Sequence, residues 1–194
     1  MKAIVSILFF AILITGCKNQ EQKKEERNHQ EIKTNKEETP QKKPLSPHTS
    51  AMAMVGDAHI HIDYSSPGVR DRIIFGGLLA YDQVWQAGAH MATWIETNKD
   101  LEIEGKTLPA GKYGFFTIPS KDEWTVIFNS NWEQHGKDEY DKKNDVLRFK
   151  VQPEISNEIT EHLEYKVNKI NDEDGSISLA WEKVDINFNF KVKE

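Results

Sequence analysis

Two histidines separated by one residue are the side chains whose type and spacing most directly suggest chemistry. His59 and His61 lie in a segment where apolar and polar residues alternate, which predicts a half-buried β-strand. On a strand both imidazoles point to one face, about 6.6–6.8 Å apart along the backbone, so Asp57 or Asp63 could complete a metal site. Any polar residue of an alternating strand lies on that face too. We therefore predict no metal and keep His59, His61 and Asp63 only as candidate ligands.

A carboxylate in an apolar row is the second candidate. Glu161 shares its row with four apolar residues, Ile159, Leu163, Tyr165 and Val167. A regular strand would therefore point Glu161 into the core, where an unpaired carboxylate is unfavourable. Arg72 or Arg148 could provide a bidentate partner. Three interpretations stay open: a bulge that exposes Glu161, a structural ion pair, or a ligand-binding or catalytic carboxylate.

A turn-rich stretch after the histidine strand contains the third group of candidates. Arg70 and Arg72 stand out in an acidic region and could clamp an anion, and Trp85 and His90 follow soon after. Aromatic and basic side chains at strand ends are typical of a small-ligand pocket. We therefore predict a ligand site made of Arg70, Arg72, Trp85, His90 and Glu161. In the alternative, Trp85 is a core residue and the arginines hold the loop to acidic neighbours.

Composition and missing motifs exclude several classes of protein. The formal net charge of −6 argues against a nucleic-acid partner. A single cysteine excludes a disulfide framework and a thiolate-built zinc or iron–sulfur site. The sequence has no G-x-S-x-G elbow, no glycine loop for phosphates or dinucleotides and no HExxH motif. The acidic stretch 138–145 is more typical of a solvated loop than of a cation site. We predict no cofactor and favour a non-catalytic protein over an enzyme.

Short alternating segments predict the elements that carry these residues. Nine strands are expected, over residues 58–64, 92–97, 101–104, 112–118, 123–129, 146–152, 159–170, 176–182 and 184–192. Strands of this length without a long helical period indicate an all-β domain, an antiparallel β-sandwich of the jelly-roll kind. Residues 69–89 do not alternate, so we expect a long loop or a short helix packed on the sheet there.

The N-terminal segment, residues 1–17, resembles a lipoprotein signal peptide. Lys2 precedes an apolar stretch, Ala3–Ile14, that is too short to span a bilayer but suits a signal peptide. The following Ile-Thr-Gly-Cys resembles the bacterial lipobox, whose cysteine receives a diacylglycerol and a further acyl chain such as palmitate. Two or more chains hold a protein firmly on a membrane. We therefore predict an acylated Cys17 and a periplasmic or surface-exposed domain at the cell envelope. Lys18, rather than Asp, favours the outer membrane.

Two regions follow the predicted cleavage point. Residues 18–45 hold eight basic and six acidic residues and no aromatic residue. They cannot bury enough apolar surface to offset the entropy of ordering, so we predict a disordered tether, with a short charged helix as the alternative. Residues 46–194 contain all five Trp and all five Tyr, with 16 basic and 25 acidic residues. This length supports a stable core without disulfides, and it forms the predicted β-sandwich domain.

Several segments of this domain resemble a known family. In chain order they are SPH at 46–48, YSSPGVRDRIIFGGLLAYDQVWQAGAHMAT at 64–93, LPAGKYGFFTIP at 108–119, EWTVIFN at 123–129 and YDKKNDVLRFKV at 140–151. Together they resemble bacterial domain of unknown function 2911, over about residues 46–192. The resemblance implies one compact, secreted, β-rich domain and assigns no activity.

Two positions depart from the pattern of that family. Ser66 stands where the family usually has Arg, and His90 stands where it usually has Asn. An anion site built on that Arg would therefore be altered in this chain. The candidate positions that match the pattern are Arg72, Trp85, Gly88, Thr93 and Glu161. His59 and His61 fall at variable positions, which argues further against a metal site there.

Three functions stay open for the domain. We favour a non-catalytic module of an envelope lipoprotein that binds a small molecule or a partner protein. The first alternative is a metal-assisted hydrolase that uses His59 and His61. The second is a structural component of an envelope complex, for which an exposed apolar patch would be expected.

Overall fold

Ten β-strands form almost all of the regular structure. The computed structural model describes residues 44–193. The strands are β1 (His48–Val55), β2 (Ala58–Ser65), β3 (Trp94–Thr97), β4 (Leu101–Ile103), β5 (Lys106–Leu108), β6 (Gly111–Ile118), β7 (Trp124–Asn129), β8 (Asp145–Val151), β9 (Glu154–Lys169) and β10 (Asp174–Val192). One 3₁₀ turn, Lys142–Asn144, precedes β8. Cys17, the rest of the predicted signal peptide and residues 18–43 lie outside the described residues.

The strands form two antiparallel sheets. The larger sheet has six strands in the order β1-β2-β3-β6-β7-β8, and the smaller has four in the order β5-β4-β10-β9. All paired strands run antiparallel, including the predicted hairpin of β6 and β7. The predicted antiparallel β-sandwich is confirmed. Across residues 44–193, no helix has the length and apolar character needed to cross a membrane.

The strands differ from the nine predicted ones in three places. β1 and β5 are additional, because β1 is rich in small and polar residues and β5 has only three residues. The predicted strands 176–182 and 184–192 are one strand, β10. Its buried residues change from odd to even positions across Glu182, which has a φ of 58°. The register with β9 shifts at the same place. A bulge therefore changes the phase of the alternation, and the sequence alone indicates two strands.

The core lies between the inner faces of the two sheets and is built largely from aromatic residues. Trp181 of β10 is 2% exposed and stacks on Trp85 with ring centroids 5.6 Å apart. Phe75 packs edge-to-face against Trp124 at 4.9 Å. Such pairs contribute about 0.5–1.5 kcal/mol each beyond the burial of their area. Side chains from both sheets and from the long loop therefore share one core.

The non-alternating stretch 69–89 forms a long loop without an α-helix. It is tied to the sheets by backbone hydrogen bonds rather than by a regular element of its own. Trp85 and Thr117 of β6 exchange both of their N–H···O bonds, at 2.8 and 2.9 Å. Val69 N–H donates to the carbonyl of Glu161 at 2.7 Å. The loop therefore continues the larger sheet beyond the short strand β3, and it is firmly positioned where it rejoins that strand.

Candidate binding site

The outer face of the six-stranded sheet holds a cluster of polar and aromatic side chains. Because alternate residues of a strand face opposite sides, the inward row of β2 carries Ile60 and Ile62 and its outward row carries His59, His61 and Asp63. Two cross-strand rows continue over this face. One comprises Ser50, Asp63, Trp94 and Gly114, and the other comprises Met52, His61, Glu96 and Lys112. The strand register therefore fixes which of these side chains are neighbours.

A cavity of about 220 Å³ opens beside Trp94 on this face. It lies where the 65–94 loop leaves β2 and rejoins β3, and residues of the following 130–144 loop complete it. Its lining consists of His48, Asp63, Tyr64, Ser65, Met91, Ala92, Trp94, Trp132 and Glu133. His48 Nε2 lies 2.8 Å from Asp63 Oδ1, so the edge strand β1 and its neighbour β2 are joined at the cavity wall.

Two tryptophans beside the cavity make cation–π contacts with a lysine of the same chain. The Lys112 Nζ lies 3.4 Å from the ring centroid of Trp94 and 3.8 Å from that of Trp132. A lysine ammonium over an indole face is attracted by the ring quadrupole, with about 0.5–1 kcal/mol at an exposed site. The two rings meet edge-to-face with centroids 6.3 Å apart. Lys112 therefore links β3 to the 130–144 loop and sets the position of both rings.

The 130–144 loop, which supplies Trp132 and Glu133, is held by a buried polar network that the sequence analysis did not identify. Asp145, whose side chain is 5% exposed, accepts hydrogen bonds from Arg148 at 2.6 Å, from the Tyr140 hydroxyl at 2.9 Å and from Asn129 at 2.7 Å. Burial, followed by the hydrogen bond to Asp145, raises the pKa of Tyr140 to about 12. Asp141 caps the 3₁₀ turn by accepting the N–H of Lys143. The acidic stretch 138–145 therefore stabilises the loop that contains it, through the hydrogen bonds of Asp141 and Asp145.

The candidate metal ligands are only partly brought together. The rings of His59 and His61 lie with centroids 6.1 Å apart, but Asp63 pairs with His48. Asp57 pairs with Lys99, whose hydrogen bond lowers the pKa of that carboxyl. Within residues 44–193, no three His, Cys, Asp or Glu side chains are grouped closely enough to hold a metal ion. The third ligand that a hydrolytic zinc site needs is therefore not in place.

Glu161 does not face inward, because β9 is not a regular strand at this point. Thr160 and Glu164 of β9 pair with Glu182 and Ala180, so three β9 residues oppose one residue of β10. This bulge leaves Glu161 exposed and turns its backbone toward the 65–94 loop. Its Oε1 accepts the backbone N–H of Arg70 at 3.0 Å. The interpretation of Glu161 as an exposed residue on a bulge is the correct one, and neither suggested arginine pairs with it.

The other predicted ligand residues lie apart from the cavity. Trp85 is 4% exposed and its indole N–H donates to the carbonyl of Gly88 at 3.0 Å, so it is a core residue rather than an accessible anchor. Arg72 donates to the carbonyls of Val69 and Gly68 at 2.9 and 2.6 Å and thereby closes its own turn. Arg70 and His90 are exposed, and neither lines the cavity beside Trp94. Ligand binding by these residues stays a prediction.

One residue that lines the cavity, Trp94, could have been identified from the sequence. Trp94 occupies an outward position of its strand, since its neighbours Ile95 and Thr97 follow the inward row. A large aromatic residue in an outward row is unusual unless something covers or binds it. Trp132 lies in a loop, where no periodicity fixes its direction. Its approach to Trp94 follows from the fold of the 130–144 loop and could not be read from spacing.

Comparisons with known proteins place this domain in one family. The family model described as a protein of unknown function, DUF2911, matches residues 46–190, which include the whole cavity lining. No curated protein and no solved structure matches the chain. The match covers well over half of the 194 residues. The chain therefore belongs to the DUF2911 family of proteins of unknown function.

Proposed function

We propose that this protein is a membrane-anchored envelope lipoprotein whose β-sandwich domain is a non-catalytic binding module. The observation that carries the binding role is the cavity at the two ends of the 65–94 loop, where half-buried Trp94 and Trp132 stand beside carboxylates. The interior between the sheets is filled by aromatic side chains, which leaves no room for a ligand there. The Tyr140–Asp145–Arg148 network supports this role, because it holds the 130–144 wall in place without any ligand.

The size and lining of the cavity suggest the ligand class. Its volume of about 220 Å³ is below the roughly 300–1,000 Å³ of typical small-molecule pockets, so it suits one ring-sized unit. Indole edges and faces favour apolar C–H groups. Asp63 and Glu133 supply acceptors for hydroxyl or ammonium groups, while His48 already binds Asp63. A single sugar residue, neutral or amino-substituted, has this combination of an apolar face and hydroxyl donors.

A binding experiment tests this role. Ligand-observed NMR on the full-length protein in detergent, with glucose, N-acetylglucosamine and glucosamine as probes, is expected to show binding that Trp132→Ala abolishes. Arg72→Ala is the matched control, because Arg72 lies in the 65–94 loop but does not line the cavity. Loss of binding in Arg72→Ala with retention in Trp132→Ala would place the site at the arginines instead. If none of the probes binds, the proposed ligand class is overturned.

The anchor is proposed from the sequence around Cys17. The only cysteine of the chain follows an apolar segment and two small residues, which is the arrangement that lipoprotein processing requires. Acylation with two or more chains would keep the protein on the membrane, since each buried methylene contributes about 0.8 kcal/mol. We place the domain at the envelope, with the outer membrane as the expected location because Lys18 follows the cysteine.

Membrane fractionation tests the anchor. The wild-type protein is expected in the membrane fraction with labelled palmitate incorporated, and Cys17→Ser is expected to lose the label. Lys18→Asp is the matched control, because it alters the neighbouring position without removing the acylated sulfur. It should keep the label and move toward the inner membrane. Equal label in wild type and Cys17→Ser would overturn the proposal.

A further inference from the structure

A second group of side chains, formed by Met52, Met54, His59 and His61, occupies the outer face near the β1–β2 turn. The hairpin pairs Met52 with His61 and Met54 with His59 in its register. All four side chains lie in the outward rows, because Ala53 and Ile60 between them belong to the inward rows. Side chains directly opposite each other on one face have Cβ atoms about 4.5–5.5 Å apart. Two thioethers and two imidazoles therefore stand within reach of one point.

The hairpin geometry brings these pairs to the shorter of the two cross-strand spacings. Only Gly56 and Asp57 separate the paired residues Val55 and Ala58, which therefore form a hydrogen-bonded pair. Hydrogen-bonded and non-hydrogen-bonded pairs alternate from there along the hairpin, so both Met–His pairs are non-hydrogen-bonded. The backbone N–H of His59 agrees with this assignment, because it points away from β1 and donates to Asn98 Oδ1 at 2.7 Å. Non-hydrogen-bonded pairs hold their side chains closer together than hydrogen-bonded ones.

The distance between the two imidazoles fits a shared ion. Imidazole nitrogen binds zinc-sized ions at about 2.0–2.1 Å, so two rings that share one ion have centroids about 5–6.5 Å apart, depending on the angle at the ion. The centroids of His59 and His61 are 6.1 Å apart. The Nε2 of His61 is buried and, among the described residues, has no hydrogen-bond partner. A ring nitrogen in that condition has an unused lone pair or proton, and Met52 is the residue paired with His61 in the strand register.

The exposure of the methionines points to a role outside the core. Met52 is 56% exposed and Met54 is 51% exposed, although methionine is normally a buried residue that fills gaps. Flexible thioethers at the surface can turn toward an ion, and soft sulfur ligands select monovalent copper over hard divalent ions. The four donors are neutral, so a bound Cu(I) keeps its single positive charge. Glu96, beside His61 in the same row, can offset that charge.

We propose that Met52, Met54, His59 and His61 form a surface site that binds one Cu(I) ion. The site uses the thioethers in place of the carboxylate that a hydrolytic metal site would need, and it involves no oxidation or reduction of the ion. It lies at the turn end of the β1–β2 hairpin, whereas the cavity beside Trp94 lies at the other end, near His48. The proposal therefore does not depend on the binding role of that cavity.

A copper competition experiment tests the site. The full-length protein carrying Cys17→Ser, which removes the only thiol, is held in detergent without oxygen and competes with bicinchoninate for Cu(I). We expect one ion per chain. Met52→Leu with Met54→Leu preserves volume and is expected to weaken binding by about 100-fold or more, since loss of even supporting contacts at metal sites costs about 10–100-fold. His59→Gln with His61→Gln should have a similar effect.

Matched controls separate this site from unspecific copper binding. Met91→Leu removes the remaining exposed methionine of residues 44–193, and His162→Gln removes an exposed histidine outside the cluster. Both are expected to leave the affinity unchanged. X-ray absorption at the copper edge should show sulfur and nitrogen neighbours together. The proposal is overturned if the wild-type chain takes up no copper, if Met91→Leu weakens binding as much as the cluster variant, or if only nitrogen or oxygen surrounds the ion.

Discussion

The inner and outer faces of the six-stranded sheet are built from the same strands but constrained by different forces. On the inner face, Phe115 and Phe128 pack edge-to-face at 5.3 Å in a core that both sheets share. On the outer face, Trp94 contacts His61, Lys112 and Trp132 and does not belong to that core. The core therefore determines the position of the outer side chains, while the outer side chains contribute little to the core. Chemistry on the outer face can change without a change of fold.

The largest expected effect on stability comes from a substitution in the core at the inner face. Trp181→Ala should lower the free energy of unfolding by about 3–5 kcal/mol, because it leaves a cavity in a well-packed core. Met52→Ala on the outer face should change it by no more than about 0.5 kcal/mol. Urea unfolding of both variants measures the contrast. Trp181→Phe refines the comparison, because this variant removes an indole N–H that is buried and unpaired among the described residues. It should lower the free energy of unfolding less than Trp181→Ala does. Similar losses for Trp181→Ala and Met52→Ala would contradict the distinction.

The next effect concerns a buried carboxylate that holds the 130–144 loop. Asp145→Ala leaves the guanidinium of Arg148 and the amide of Asn129 without their carboxylate partner. Breaking a buried pair costs about 3–5 kcal/mol, and partial exposure of Arg148 places the expected loss near the lower limit, about 3 kcal/mol. Asp145→Asn keeps acceptor atoms and should lose less. A loss below about 1 kcal/mol in Asp145→Ala would show that the network does not hold the 130–144 loop.

The smallest effect is a dependence of stability on alkaline pH. Tyr140 has an ordinary pKa of 10.0 that rises to about 12 in the folded protein. Between these values the unfolded chain loses the proton and the folded chain keeps it, so the stabilisation is present below pH 10 and is lost as the pH rises toward 12. Tyr140→Phe should therefore reduce the slope of the unfolding free energy over this range. An unchanged slope would mean that other tyrosines account for the whole pH dependence of the unfolding free energy.

The sequence predicted most of the fold because alternation reports directly on burial. Strands such as β6 and β7 carry continuous or alternating apolar residues, and the short turn between them predicts their pairing. Prediction failed where the chain leaves that pattern. The bulge at Glu161 and the phase change at Glu182 depend on pairing with distant segments, namely the 65–94 loop and the opposite strand. The cavity was missed for the same reason, since Trp94 and Trp132 are brought together only by the folded 130–144 loop.

The position of β1 at the edge of the larger sheet has a mechanical consequence. A pull on the chain upstream of His48 acts on the outermost strand, so it would open the hydrogen bonds with β2 one after another rather than all at once. The contacts loaded first are the bond from Ser66 N–H to the Pro47 carbonyl at 2.8 Å and the His48–Asp63 pair. Met54 and His59, next to the turn, would separate last. Tension on the chain upstream of His48 would thus disturb the cavity before it reached the methionine and histidine cluster.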